Sequence, residues 1–112
     1  MNLIQHLFTR KQRLTKKSDF ASMYASASKR TVGPLLIHKK QNSLGYSRLG
    51  LSIPKRVGTA TKRNSIKRLC REAFRLSQFD IPCGIDVLIT IRPHEPKTLT
   101  EYIELIRLGT RK

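Results

Sequence analysis

Seven acidic side chains and three histidines are the groups in this chain that could carry acid–base or metal chemistry. Hydrolysis by a protein needs carboxylates clustered around metal ions, or an acid and a base held at one site. The acids are scattered along the sequence, and Glu101 and Glu104 alone could share a surface. His6 and His94 fall in segments that we expect to be mobile, and no glycine-rich phosphate loop occurs. The sequence therefore predicts no catalytic residues and no metal site within the protein.

Basic side chains supply a second kind of chemistry, the binding of anions. Lysine and arginine number 23 against 7 acids, which gives a formal net charge of +16 over 112 residues. A compact domain repels itself at such a charge unless a polyanion neutralises it. Nucleic acid is the first candidate, ahead of an anionic membrane or an acidic protein. Because there is no apolar run of membrane-spanning length and no signal peptide, we expect a cytoplasmic protein without a membrane partner.

The basic residues concentrate on a predicted helix from about Ala60 to Gln78. At about 100° per residue, one arc of roughly 140° holds Arg63, Asn64, Lys67, Arg68, Arg71 and Arg75. The opposing side holds Ile66, Leu69, Cys70, Ala73 and Phe74. Ordinary solvated faces alternate charges at four-residue spacing, whereas this face is like-charged and Glu72 is the only acid in the helix. The pattern predicts a phosphate-binding surface, the cationic ridge, rather than a merely solvated face.

One domain, 1–112, has to position these groups, with basic ends, 1–12 and 109–112, that could be mobile. Apolar periodicity predicts helices over 17–28, 60–78 and 99–108. Extended runs predict strands over 31–40, 46–53 and 85–91. The last run is apolar almost throughout, which favours an interior position, and the first two are expected to pair as a hairpin. The order α-β-β-α-β-α predicts an α/β sandwich with its helices against one small sheet.

Two cysteines are too few for a disulfide framework, and neither has a second cysteine or a histidine at metal-ligand spacing. Cys70 lies on the apolar side of the predicted helix, and Cys83 lies between a proline and a glycine. We expect two free thiols, with Cys70 buried.

The segment from Lys55 to Arg75, KRVGTATKRNSIKRLCREAFR, resembles the signature of the bacterial ribonuclease P protein family. Further similar blocks stand in the family's order: Arg13-Leu14 with Asp19-Phe20 and Tyr24, then Arg48 to Ser52, then Asp86 to Ile89 with Arg92-Pro93. The resemblance covers nearly the whole chain. It implies a cytoplasmic endonuclease of one catalytic RNA and one protein, which removes the 5′ leader of precursor tRNA with Mg²⁺. It also implies a two-layer α+β sandwich of the ribosomal protein S5 domain 2-like type, with a left-handed crossover instead of the usual right-handed one.

The resemblance also assigns residues. Contacts with the catalytic RNA fall to Lys55, Arg56, Lys62, Arg63, Asn64, Lys67, Arg68, Arg71 and Arg75. Ser65 departs from the family, which usually has an arginine there, and Lys62 could supply the missing contact. A cleft between the first helix and the sheet, which holds the precursor leader, is assigned Arg13, Phe20, Tyr24 and His38. Mg²⁺ is expected to be held mainly by the RNA.

Other interpretations of the same residues stay open. Without the resemblance, Phe20 and Tyr24 are more simply the core side of an amphipathic helix, and His38 is a partly exposed strand residue. A structural RNA-binding protein without a role in an enzyme, such as a ribosomal protein, fits the composition equally well. A membrane-active or DNA-binding cationic protein fits less well, because the basic residues lie on a helix whose opposite face is packed.

Overall fold

The computed structural model describes residues 12–26, 28–78 and 84–111. Its helices are α1 (Lys17–Ser26), α2 (Ala60–Leu76) and α3 (Leu99–Thr110). Its strands are β1 (Ser28–Val32), β2 (Leu35–Gln41), β3 (Arg48–Ser52) and β4 (Ile85–Ile91), and a 3₁₀ turn (Lys55–Val57) precedes α2. The predicted mixed sandwich of helices and one sheet is confirmed, and it has one strand more than the sequence indicated.

The additional strand arises inside the predicted strand 31–40. Gly33 and Pro34 form a tight turn, in which Gly33 adopts a φ of +56° that a residue without a side chain reaches at little steric cost. β1 and β2 then pair antiparallel, with Val32 opposite Leu35. The prediction of one strand with an irregular start is therefore wrong, because the Gly-Pro pair closes a hairpin.

β4 lies inside the sheet, whose strand order is β1-β2-β4-β3. It pairs antiparallel with β2 and parallel with β3, and all its residues except Thr90 are buried. Its predicted interior position is confirmed, and the predicted hairpin between 31–40 and 46–53 is wrong because β4 lies between those strands. The parallel neighbours β3 and β4 are joined through α2, as a parallel pair requires. The hand of this crossover stays a prediction.

The two faces of the sheet carry different helices. α3 lies over β1 and β2, and α2 lies over β3. Alternate residues of β4 point to this side and build the main core: Val87 and Ile89 pack with Phe74 and Tyr102. On the other face Leu88 forms a smaller core under α1 with its neighbours Leu14 and Met23. α1 packs mainly on β2 and β4.

The end of α3 is fixed to the first hairpin. The sequence assigned 109–112 to a basic end that could be mobile, but Thr110 is fully buried. Arg30 of β1 and Lys39 of β2 donate hydrogen bonds to carbonyl oxygens at this end of α3, at 2.6 and 2.7 Å. These cations complement the partial negative charge of a helix C-terminus.

Candidate nucleic-acid interface

The cationic ridge on α2 is one-sided. The helix turns four side chains fully into the core, Ile66, Cys70, Ala73 and Phe74. Asn64 and Arg68 are exposed on the opposite side. The predicted separation of an apolar and a basic face is therefore confirmed, and the RNA partner of this face stays a prediction.

The beginning of the ridge is held by short contacts. Lys55 and Arg56 are exposed in the 3₁₀ turn before α2. Arg63 donates from Nε to the carbonyl of Gly58, the residue that follows this turn, at 3.2 Å. Lys62 lies 3.3 Å from a carboxylate oxygen of Glu95, whose side chain is 92% exposed. An ion pair so open to water contributes little, so the phosphates of an RNA can displace it.

Ser65 lies on the border between the ridge and the core, because its side chain is half-buried. Lys62 stands one turn before it on the same helix and is tied to Glu95 across the surface. Whether Lys62 replaces the family's arginine therefore depends on how readily that ion pair opens.

Arg75, predicted as the far end of the ridge, is neutralised. Its guanidinium contacts both carboxylate oxygens of Glu72, with Nε donating to Oε2 at 3.2 Å. The hydrogen bond from Arg75 holds the pKa of the Glu72 carboxyl below its usual range. The only acid of α2 thus pairs with the last cation of the ridge, and the contact of Arg75 with RNA stays a prediction.

Lys67 and Arg71 face the N-terminal segment instead of open solvent. Residues 12–14 run beside β3, with Arg13 bridged to Leu49 and the Leu14 N–H donating to the Leu49 carbonyl at 2.9 Å. Gln12, predicted to lie in a mobile end, is buried and donates to the carbonyl of Ser47 at 3.2 Å. The segment thus brings Arg13 to the ridge from a distant part of the chain.

A cavity of about 230 Å³ opens between this segment and α2, and we call it the junction cavity. Its described lining consists of Arg13, Leu14, Thr15, Phe20, Leu49, Leu51, Lys67 and Arg71. Partial burial and, to a smaller extent, the nearby charge of Arg13 lower the pKa of Arg71. Arg13, assigned from sequence to the leader cleft, therefore stands beside two cations of the ridge, and Phe20 is the cleft residue that shares its cavity.

The other predicted cleft residues meet on the α1 side of the sheet. The rings of Tyr24 and His38 stand edge to face with centroids 5.2 Å apart. Tyr24 is 52% exposed, so the interpretation of this residue as ordinary core is wrong. His38 is only 5% exposed, and its expected partial exposure is wrong because α1 covers it. We call the surface around Phe20, Tyr24 and His38 the aromatic cleft.

The floor of the aromatic cleft carries two polar atoms without partners among the described residues, Nδ1 of His38 and Oγ1 of Thr90. His38 pairs across the sheet with Leu88, two residues before Thr90, so both side chains point to the α1 face. Burial, followed by the charge of Lys29, lowers the pKa of His38. The imidazole is therefore neutral at pH 7 and can offer both a donor and an acceptor.

Gly50 sets the depth of the cleft. A Cβ at this position would lie 2.9 Å from Cβ of Leu14 and 3.1 Å from Cε1 of Phe20. Both distances are shorter than ordinary van der Waals contact. The missing side chain therefore lets the N-terminal segment and Phe20 lie directly on β3.

A charged network that we did not predict from the sequence contacts the first turn of α1. Arg48 donates from Nε and Nη2 to the two carboxylate oxygens of Asp86, at 2.8 and 2.7 Å. Asn42 donates to the same carboxylate at 2.8 Å, and Asp19 of α1 lies 4.0 Å from Arg48. Burial raises the pKa of Asp86, but the hydrogen bonds from Arg48 and Asn42 outweigh it, and the pKa is lowered. The sequence feature that indicates this network is Asp86, because a carboxylate within an apolar strand needs a partner.

Several acids and histidines among the described residues contact other kinds of side chain. Asp19 and Asp86 do share one site, contrary to the view that the acids are scattered, but Arg48 occupies it. No three acids, histidines or cysteines within 12–26, 28–78 and 84–111 come together to hold a metal ion. His94, expected in a mobile segment, contacts the hydroxyl of Tyr102 at 2.7 Å. His6 and Cys83 lie outside the described residues.

Comparison with known proteins bears on what this surface does. The family model described as Ribonuclease P matches residues 8–106. The ribonuclease P protein component of Thermotoga petrophila is 36% identical over 99 residues, which cover 88% of this chain and 81% of that protein. The ribonuclease P protein component of Legionella pneumophila is 42% identical over 87 residues, which cover 77% of this chain and 74% of that protein. Among the described residues, no helix is both long and apolar enough to cross a membrane.

Solved structures give the same result for the fold. The RNase P protein from Thermotoga maritima superimposes with a TM-score of 0.76 at 28% identity, over 84% of this chain and 90% of that chain. The Staphylococcus aureus RNase P protein superimposes with a TM-score of 0.75 at 26% identity, over 87% and 90%. On the family match over most of its length, on its relatives and on its fold, the chain belongs to the bacterial ribonuclease P protein family.

Proposed function

We propose that the chain, as the protein subunit of a ribonuclease P holoenzyme, binds two RNAs on adjoining surfaces. The cationic ridge binds the catalytic RNA, and the aromatic cleft binds the 5′ leader of precursor tRNA, with one protein for each catalytic RNA in the cytoplasm. The observation that carries the proposal is the junction of the two surfaces. Phe20 of the cleft lines the same cavity as Lys67 and Arg71 of the ridge.

The ridge acts through phosphate contacts. Arginine guanidinium groups can bind phosphate oxygens in pairs, and lysine binds them as a point charge. Lys55, Arg56 and Arg68 are exposed for such contacts, and Asn64 adds an amide on the same side. Each neutralised phosphate steepens the fall of affinity with salt, so about five contacts predict a slope of roughly −4 in log K against log salt concentration.

The cleft acts through stacking and through its unpartnered polar atoms. Tyr24 offers a half-exposed ring on which a base of single-stranded RNA can stack, a contact worth about 1–3 kcal/mol per base. Below it, the neutral His38 and Thr90 present polar atoms that lack partners among the described residues. Both atoms are covered in the free protein, so a base edge would satisfy them after a small movement of α1, which the cost of unpaired buried polar atoms favours.

The chemical step belongs to the RNA. Asp19 and Asp86 share one site but are both engaged by Arg48, so they do not offer free ligands for Mg²⁺. The magnesium ions of the reaction are held mainly by the catalytic RNA. The protein adds positive charge along the RNA and a binding site for the leader, so that RNA and substrate associate at a lower Mg²⁺ concentration.

Reconstitution tests the proposal. The purified chain is mixed with a bacterial ribonuclease P RNA, and cleavage of precursor tRNA is followed at a low Mg²⁺ concentration at which the RNA alone is slow. We expect the chain to stimulate cleavage and to lose this effect steeply as salt rises. Equal rates with and without the chain would refute the proposal.

Two variants separate the surfaces. Arg68→Gln should weaken binding of the ribonuclease P RNA and leave the preference for a long leader over a one-nucleotide leader unchanged. Tyr24→Ala should abolish that preference and leave binding of the ribonuclease P RNA unchanged. Equal effects of both variants on both measurements would mean that ridge and cleft do not have separate partners.

A further inference from the structure

An acid reaches the beginning of the ridge from a different part of the fold. Glu95 belongs to the loop 92–98, which joins β4 to α3. Its carboxylate oxygen Oε1 lies 3.3 Å from Nζ of Lys62, in the first turn of α2. The pair of Glu72 and Arg75, in contrast, lies within α2 itself. The contact of Glu95 therefore depends on how the fold places this loop beside the helix.

The loop is held in place on both sides of Glu95. Before it, Nδ1 of His94 donates to the carbonyl of Arg92 at 2.8 Å, and Nε2 lies 2.7 Å from the hydroxyl of Tyr102. After it, the backbone N–H of Lys97 donates to the same hydroxyl at 3.2 Å. Tyr102 is fully buried, so this hydroxyl is a fixed point. The carboxylate of Glu95 is therefore presented by an ordered loop.

Lys62 is directed to Glu95 by its own neighbours. A Cβ at Gly58 would lie 2.6 Å from Cδ of Lys62, so the stem of the lysine lies against the backbone of the glycine. The side chain of Lys62 is 26% exposed. Because Gly58 has no side chain, the stem follows the backbone before α2, and the ammonium group ends beside the loop. The ion pair thus joins a held stem to a held loop.

A phosphate that reaches Lys62 meets this carboxylate. The ammonium group has three donors, so a phosphate can either take the place of Glu95 or bind beside it. Taking its place costs the ion pair, and binding beside it brings two negative charges together, which repel each other. In both cases Glu95 reduces what Lys62 contributes to RNA binding. The exchange can occur because a pair with so exposed a carboxylate is weak.

We propose that Glu95 is an intramolecular competitor of the RNA. It holds Lys62 in the free protein and gives it up to a phosphate of the catalytic RNA, so the affinity of the ridge is lower than its cations alone would provide. The identity of this RNA rests on the proposed function, whereas the exchange itself requires only a phosphodiester. Glu95 thereby sets how much RNA is needed before Lys62 joins the ridge.

The first experiment measures the affinity of the full chain for a bacterial ribonuclease P RNA at constant ionic strength. The control is Glu104→Gln, which removes the same charge from an exposed position on α3. Glu95→Gln should bind the RNA more tightly than Glu104→Gln, by roughly 1.5- to 5-fold, the range for one exposed ion pair. Equal affinities of the two variants would overturn the proposal, because general electrostatics would then explain any gain.

A double-mutant cycle identifies the cation through which Glu95 acts. In a Lys62→Gln background, Glu95→Gln should change the affinity no more than Glu104→Gln does. A gain that persists without the lysine would overturn the proposal, since Glu95 would then repel the RNA directly. Lys62→Gln alone should reduce the slope of log K against log salt concentration by about 0.7–0.9, the effect of one lost phosphate contact. An unchanged slope would also overturn it, because Lys62 would then bind no phosphate.

Cleavage of precursor tRNA separates this inference from the proposed function. At a low Mg²⁺ concentration, half-maximal stimulation should need less Glu95→Gln chain than Glu104→Gln chain, in the same proportion as the affinities. If the unchanged chain stimulates cleavage and the two variants behave alike, the inference alone fails. If the unchanged chain does not stimulate cleavage, the proposed function fails. The cycle repeated with an oligouridylate then still tests the exchange, which is overturned if Glu95→Gln and Glu104→Gln bind the oligonucleotide equally.

Discussion

Gly50→Ala adds one methyl group at the contact between β3 and the N-terminal segment. The new Cβ would meet Cβ of Leu14 at 2.9 Å, Cε1 of Phe20 at 3.1 Å and the Leu14 carbonyl at 3.3 Å. Two of these atoms belong to the backbone or stand next to it, so the segment itself has to move. Overpacking of this kind costs about 1–3 kcal/mol. Replacing glycine by alanine returns about 0.4–1 kcal/mol through the unfolded chain, which leaves a net loss of about 1.3 kcal/mol from the middle of the two ranges.

Two measurements check this prediction. Urea unfolding should give the lower free energy of unfolding, and leader binding by the holoenzyme should weaken because Phe20 is displaced. Gly109→Ala is the matched control: its methyl would overlap the flexible end of Ile37 on the opposite face of the sheet. It should lower stability without affecting leader binding. Unchanged stability and leader affinity in Gly50→Ala would refute the view that Gly50 sets the depth of the cleft.

Three further predictions concern single side chains. Tyr24→Ala should weaken leader binding roughly 5- to 150-fold and Tyr24→Phe should not, as measured by fluorescence anisotropy. Equal leader affinities of Tyr24→Ala and the unchanged chain would exclude stacking. Because the folded-state pKa of Asp86 is lowered, its stabilisation is present above its unfolded pKa of about 3.9 and is lost as pH falls through the lower folded value. Urea unfolding from about pH 2 to 5 should therefore show a steeper loss of stability in the unchanged chain than in Asp86→Asn. Burial raises the pKa of Cys70 to about 12, so in a Cys83→Ser chain the thiol should resist thiol reagents until the protein unfolds.

Features that lie within one element could be predicted from the sequence. The division of α2 into an apolar and a basic side depends only on helical periodicity, and Ile66 and Arg68 stand where that periodicity places them. The bounds of β4, Ile85–Ile91, follow from an uninterrupted apolar run. Local patterns suffice in these cases because each residue is assigned by its neighbours along the chain.

Features that depend on competition between elements could not be predicted from the sequence. The strands 31–40 and 46–53 are close in sequence, which favours their pairing. β4 is more apolar than either, and it pairs with both by lying between them. An interior strand needs two neighbours, so the correct prediction for β4 already conflicted with the predicted hairpin. Choosing between the two requires the energy of the whole sheet, which no single segment contains.

The site shows the same limit. Arg13 and Arg71 are far apart in sequence, and nothing in either segment indicates that they line one cavity. Arg48 and Asp86 could have been suspected, because the acid interrupts an apolar strand, but its partner could not have been chosen among 23 basic residues. His38 is buried only because α1 packs across its strand.

The central position of β4 has a consequence for the newly made chain. β4 is the last strand to leave the ribosome, yet β2 and β3 reach each other only through it. A nascent chain that ends before Ile85 already carries every basic residue of the ridge, but it lacks the strand that carries Val87 and Ile89, against which α2 packs, and Leu88, beneath α1. Such a chain carries the charge of the ridge without the packing that holds α2 against the sheet. Synthesis of β4 completes the sheet, and α3 then completes the main core, so the proposed ridge and cleft take up their positions only when the last third of the chain is made.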